Sequence, residues 1–298
     1  MSTKVQSLRE RSARRAFAIV LAAGFLWSAG AAAHDDLRNQ IAALTREIAA
    51  EPGSAGLYLR RGELHRFCRE IPAALADYSR ARRLDPGLAV VDLGAGRALL
   101  EAGRPAEAKR FLERFVRARP DDAEGRLELA RALVRLRSMN AADGQYARAI
   151  ALAPRPTPDL YYERARFLRA AGRLAAAIRA VDDGIVRLGP LASLEDLAID
   201  LELAGKNYNG ALARLDRTVP PMNGRQETRL ARRGEILAAA GRSMEARETF
   251  RQAERSIEAL PPRLRQTRAI QRLQGRVRSS LERLRVTGPE KEKTDAKS

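Results

Sequence analysis

"YLRRGELHRFCREIPAALADYSRARRLDP" occupies residues 58–86. It contains two runs in which apolar or small residues return every three or four positions, the period of an amphipathic helix. "CREIP" separates the runs. Pro72 stands where a second helix begins, a place that tolerates proline because the first amide of a helix has no partner to lose. Pro86 stops that second helix and turns the chain. The stretch therefore reads as a helix, a short turn and a second helix.

The closing proline recurs. Pro52, Pro86, Pro120 and Pro154 are 34 residues apart. Other columns keep the same period. Twenty-four residues before the prolines stand Gly62, Gly96 and Ala130; twelve before, Ala74, Ala108 and Ala142; eight before, Tyr78, Leu112 and Tyr146; five before, Ala81, Phe115 and Ala149. Small residues recur where two helices must touch closely, and large ones where a gap must be filled. Breaks at "AGRP" and "LRSMN" divide the next two copies as "CREIP" divides the first.

This pattern resembles the tetratricopeptide repeat. Tyr58, Gly62, Ala74, Tyr78, Ala81 and Pro86 fall on that family's preferred positions, with His65 replacing its usual tyrosine. Three further copies are less regular. The fourth has Tyr161, Ala165, Gly172 and Ala177. The fifth has Ala198, Gly205 and Ala211, with an extra residue assigned to "GKNYNGA". The sixth has Leu230, Gly234, Gly241, Ala246, Phe250 and Ala253 and is expected to run to Leu260. The resemblance implies an all-α fold, a right-handed superhelical solenoid of helix-turn-helix repeats over residues 55–260. Residues 34–54 are expected to cap its beginning. Residues 261–286, with Leu264, Ile270, Leu273, Val277, Leu281 and Leu284 in one stripe, are expected to cap its end, because terminal repeats must cover their apolar faces. Residues 287–298 have no large apolar side chain to bury and are expected to be disordered.

The 298 residues include 55 Lys and Arg against 37 Asp and Glu, a net charge of +18. Such a balance suits an anionic partner. The first 33 residues have the three parts of an export signal: a basic start ending at Arg14-Arg15, an uncharged run from Ala16 to Ala33, and the small triplet Ala31-Ala32-Ala33 before charge resumes at Asp35. Cleavage after Ala33 and a place in the bacterial periplasm are expected. The rival is an inner-membrane anchor over residues 16–33, near the lower length limit for a span. Export argues against nucleic acid as the partner.

No set of residues points to catalysis, and neither cofactor, metal nor small-molecule substrate is expected. His65 lies in a core column. His34 would be the first residue after cleavage but lacks companion ligands. Cys68, the sole cysteine, reads as a buried structural thiol. The glycines of "DLGAGRALLEAG" follow no strand and belong to the repeat.

The resemblance also implies where a partner would bind, since the first helices of such repeats line the concave side. Groove-facing positions hold Leu93 and Arg97, then Leu127 and Arg131, then Tyr162 and Arg166, with Arg169 one turn on. Glu195, Glu202 and Glu235 give later copies an acidic end. Such a groove suits a protein or peptide with an acidic segment. A second reading has the arginines paired internally with Glu63 or Glu128. The terminal-carboxylate clamp of some family members is absent, because Leu59, Glu63, Gly94, Glu124 and Glu128 occupy its positions. The expected function is an exported protein-binding scaffold for envelope assembly. The alternative is a surface-binding protein that meets anionic lipid or glycan through its Arg-rich last helix.

Overall fold

A computed structural model describes residues 36–217 and 226–286. The export segment, His34 and the tail 287–298 lie outside them. Among the described residues all regular structure is helical. The chain divides into two compact units, Met1–Ala153 and Pro154–Ser298, so the boundary falls at the last of the four evenly spaced prolines.

The first unit contains a helix over 36–50 (α1) and three helical hairpins. These are α2 (Ala55–Phe67) with α3 (Ile71–Leu84), α4 (Val90–Glu101) with α5 (Pro105–Ala118), and α6 (Ala123–Arg135) with α7 (Met139–Leu152). The second unit has α8 (Pro158–Ala170) with α9 (Leu174–Leu188), α10 (Ala192–Ala204) with α11 (Tyr208–Arg217), and α12 (Gln226–Ala239) with α13 (Ser243–Glu258). A single turn, α14 (Pro262–Arg265), and the long α15 (Arg268–Val286) follow. Pro105 and Pro158 open their helices.

Residue size holds each hairpin together. The repeated columns are buried throughout the first unit: Ala74, Ala108 and Ala142 are 0% exposed, and Tyr78, Leu112 and Tyr146 at most 2%. The first-helix glycines of the repeated column, Gly62, Gly96 and Gly234, each receive the large residue of their own second helix. A Cβ on Gly62 would come within 2.9 Å of the Tyr78 ring, and one on Gly234 within 2.8 Å of Phe250. Further glycines, not in the repeated columns, seat a residue of the neighbouring hairpin. Gly94 lies under Tyr78, and Gly125 lies against Phe115, where a Cβ would stand 2.2 Å from the ring. Each large side chain so enclosed contributes about 1.5–3 kcal/mol through burial.

Within a unit the hairpins stack. The second helix of one packs on the first of the next, as α3 on α4 and α5 on α6. First helices also pack on one another: α2 on α4, α4 on α6, α8 on α10. They therefore form the closed, inner side of each stack. Buried carboxylates lock neighbouring hairpins. Asp92 of α4 receives Arg82 of α3 and, at 2.9 Å, Arg114 of α5. In the second unit Arg214 of α11 reaches Asp182 of α9 at 2.6 Å and Glu202 of α10 at 3.0 Å.

All six hairpin turns have one geometry. A left-handed residue occupies the same place in each: Arg69, Gly103, Arg137, Gly172, Lys206 and Gly241. Its amide and the next amide reach back three and five residues, as Gly103 to the Leu100 carbonyl and Arg104 to Leu99. This Schellman closure satisfies carbonyls that the helix end leaves unpaired. In the fifth hairpin the turn residue is Lys206, with φ 57°, and Gly205 has φ −83°. Lys206 follows Gly172 by 34 residues, so this turn keeps step although the sequence suggests an insertion. The end of the chain also differs from expectation. Leu264 is 37% exposed because the backbone breaks after Arg265, and the buried stripe begins at Ile270. Thr267 starts α15, its Oγ1 accepting from the Ile270 amide at 3.4 Å.

Candidate functional site

The inner face of the first unit is made by α2, α4 and α6, and a chain of ion pairs runs across it. On α2, Glu63 accepts from the Tyr78 hydroxyl at 2.7 Å and from Arg66 at 2.8 Å. Burial, then the bond to Glu63, holds the Tyr78 hydroxyl protonated well above its ordinary range. Arg66 crosses to Glu101 of α4 at 2.6 Å. Arg97 of α4 crosses to Glu124 and, at 3.4 Å, to Glu128 of α6. Glu128 also takes Arg131 at 3.0 Å. Arg135 of α6 returns to the Leu100 carbonyl.

The residues expected to bind a partner thus have different fates. Arg97 and Arg131 do face the inner side, with their side chains 22% and 40% exposed. Both are engaged by carboxylates of α6, so positive charge there is largely balanced. Leu127 is half-buried on this face, whereas Leu93, 7% exposed, lies in the core beneath it. Leu93 sits on α4 between two neighbouring first helices, and that position encloses an apolar side chain.

In the second unit Tyr162 of α8 is half-buried, and its hydroxyl donates to the Ser193 carbonyl of α10. Arg166 and Arg169 are exposed and make no ion pair among the described residues. The expected acidic end is largely committed elsewhere. Glu202 is buried beneath Arg214 and also accepts from Asn207 at 2.7 Å. Glu235 holds Arg232 and Arg276, each at 3.4 Å. Glu195 stays half-exposed.

The cross-braces have a signal that the column alignment misses. Arg66–Glu101, Arg97–Glu128, Arg214–Asp182 and Arg232–Asp200 join residues 35, 31, 32 and 32 positions apart. Opposite charges nearly one repeat apart fall within a turn of each other on adjacent helices. The pairing is written in the sequence as a distance.

His65 is half-buried rather than enclosed. Its Nδ1 lies 2.6 Å from Glu70 and its Nε2 3.9 Å from Asp77, which also binds Arg61. Those carboxylates hold the imidazole between the turn at Glu70 and α3. Cys68 is also half-buried, because it ends α2 at the turn. Burial, and then Glu70, push its thiol pKa up, away from the reactive thiolate. Among the described residues no three His, Cys, Asp or Glu side chains converge as metal ligands do, and no helix is long and apolar enough to cross a membrane.

Comparison with known proteins agrees with this architecture. Residues 69–133 match the tetratricopeptide repeat family model. Those residues carry the tetratricopeptide-repeat pattern, and the all-α fold of the chain is that of tetratricopeptide solenoids. Bacteriophage adsorption protein A of Escherichia coli (strain K12) is 32% identical over an alignment of 133 residues that covers 42% of this chain and 13% of that protein. The structure of Naa15/Naa10 bound to HypK is similar in fold, with TM-score 0.52 and 12% identity, covering 83% of this chain and 37% of that one. YrrB, a tetratricopeptide-repeat protein with an unusual peptide-binding site, is 22% identical with TM-score 0.49, covering 70% of this chain and 98% of that one.

Proposed function

We propose that the chain is a protein-binding scaffold whose first-helix face holds a carboxylate-bearing segment of a partner protein. One observation carries the reading. Arg97 and Arg131 stand at the same place on α4 and α6, part-exposed and outside the interlock of glycines and large side chains that holds the hairpins. Of their partners, Glu124 is 63% exposed, while Glu128, which Arg97 and Arg131 share, is only 11% exposed. An exposed ion pair such as Arg97–Glu124 contributes about 0–1 kcal/mol, so a partner's carboxylate can replace Glu124 there at little cost. Arg166 and Arg169 offer a second group of cations beside Tyr162 on the other unit. Residues 1–33 have the pattern of an export signal, so the scaffold is assigned to the periplasm, where it would serve assembly of an envelope complex. A relative named for bacteriophage adsorption accords with that place. No catalytic role is proposed.

The test uses two opposed variants. Arg97→Ser with Arg131→Ser removes the cations, and Glu124→Gln with Glu128→Gln removes their internal competitors. The partner is first captured from envelope extract, and its affinity is then measured with purified components. The first variant should bind at least about tenfold more weakly, and the second more tightly. If neither variant changes affinity, this face is not the site. Amino-terminal sequencing of protein made in a bacterial host tests export separately, with His34 as the expected first residue.

A further inference from the structure

The excess positive charge is concentrated at the end of the second unit. Residues 262–286 contain eight arginines and one acid, Glu282. Ile270, Leu273, Val277 and Leu284 form the buried stripe of α15, packed on α12 and α13. At 3.6 residues per turn, Arg268, Arg272 and Arg276 then share an outward edge within about 80° of each other. Arg265 on α14 precedes them. Arg265, Arg268 and Arg272 are exposed and make no ion pair among the described residues. Arg276 is 61% exposed, and its contact with Glu235 is a long 3.4 Å. The contrast with Arg66, Arg97 and Arg131, all paired, shows where charge survives folding.

The chemistry of the strip selects its partner. Helix α15 has 19 residues and so a length of about 28 Å. No aromatic residue interrupts residues 262–286, and among the described side chains of that stretch Leu264 is the one exposed large hydrophobic. Protein interfaces concentrate their energy in buried aromatic and apolar anchors, which this edge lacks. Single-stranded nucleic acid is held by aromatic stacking, also lacking. A bilayer of acidic headgroups needs neither anchor. It needs cationic side chains spaced along a line, each close enough to be drawn to an acidic headgroup. We propose that the outer edge of α14 and α15 docks the protein on an anionic phospholipid surface through Arg265, Arg268, Arg272 and Arg276. This surface is separate from the inner face proposed to hold a partner protein.

The full chain is tested by co-sedimentation with phosphatidylcholine vesicles prepared with and without phosphatidylglycerol. Binding should require phosphatidylglycerol and weaken with salt, since exposed charges are screened over about 8 Å at physiological ionic strength. Changing Arg265, Arg268, Arg272 and Arg276 to Ser should weaken it at least about tenfold, while the same four positions changed to Lys should retain it. Helical circular dichroism checks that both variants fold. Arg166→Ser with Arg169→Ser removes exposed charge elsewhere in the same unit and should have little effect. Several outcomes overturn the proposal: equal loss in both serine variants charge for charge, binding to neutral vesicles that the substitutions leave unchanged, or tighter binding to duplex DNA or polyglutamate than to phosphatidylglycerol vesicles.

Discussion

A Cβ added to Gly96 would stand 2.5 Å from Cγ of Leu112. The obstructing atom is the branch point of the side chain, so rotation about χ2 cannot relieve the contact; Leu112, 0% exposed, must change χ1 inside a filled core or α4 must move from α5. Gly96→Ala should cost about 1–3 kcal/mol as overpacking, and Gly96→Leu at least as much. Pairing Gly96→Ala with Leu112→Ala should cost less than the sum of the two single changes. Urea midpoints of the four proteins measure that coupling, and strict additivity would reject the interlock.

Open glycines should behave oppositely. Gly144 in α7 and Gly275 in α15 have no atom within 4 Å of an added Cβ. Alanine at either position should stabilise its helix by up to about 1 kcal/mol, because glycine loses more backbone entropy there. Thermal midpoints should rise for both and fall for Gly96→Ala.

The hairpin turns give a third prediction. Arg69, Arg137 and Lys206 have φ of 59°, 56° and 57°. A left-handed L-residue costs about 1–2 kcal/mol, and glycine returns about 0.5–1 of that as entropy lost on folding. Each change to Gly should therefore stabilise by about 0.5–1 kcal/mol. The sites lie in separate hairpins, so the triple variant should approach the sum. A fall in denaturant midpoint would contradict the turn geometry.

Arg214 holds Asp182 and the buried Glu202 together. Arg214→Met should cost about 3 kcal/mol by leaving Glu202 buried without its cation. Adding Glu202→Gln should recover part of that loss. Calorimetry of both variants decides the point, and a double variant as unstable as the single one would deny the orphaned charge.

Two turn pairs predict a pH dependence. Arg104 forks onto Glu107 at 2.6 and 2.7 Å, and Arg242 donates to Glu245 at 2.7 Å. These hydrogen bonds hold both carboxyls below the ordinary Glu range. A carboxyl depressed in the folded state stabilises it above the unfolded pKa, near 4.3. That contribution is lost as pH falls through the folded value. Carboxyl NMR should show Glu107 and Glu245 titrating below free Glu, and Arg104→Ala and Arg242→Ala should return each to it.

The sequence made some of these features legible and hid others. The columns through Gly62 and Tyr78, or Gly96 and Leu112, are visible because helix packing fixes residue size and repetition displays it. The breaks that contain Arg69, Arg137 and Lys206 are visible, but their left-handed backbone is not, because neighbouring helices impose a state their residue types disfavour. Gly94 and Gly125 fall outside the repeated columns because each answers a ring in the preceding hairpin. The inner face shows the limit most clearly. Position alone marks Arg97 and Arg131, while their engagement by Glu124 and Glu128 depends on how far each side chain reaches across to the next helix.

The uniform turn sets how this chain can change in length. From Arg69 to Gly241 the left-handed residues follow one another at 34 or 35 positions. Recombination between any two of these sites in one unit removes or duplicates a whole hairpin and rejoins a second helix to the kind of first helix it already meets. An insertion of a few residues within a helix of a hairpin moves that hairpin's small residue off its large neighbour. Heritable variation in the size of this protein should therefore come in whole-hairpin steps, each lengthening or shortening the inner face by one first helix.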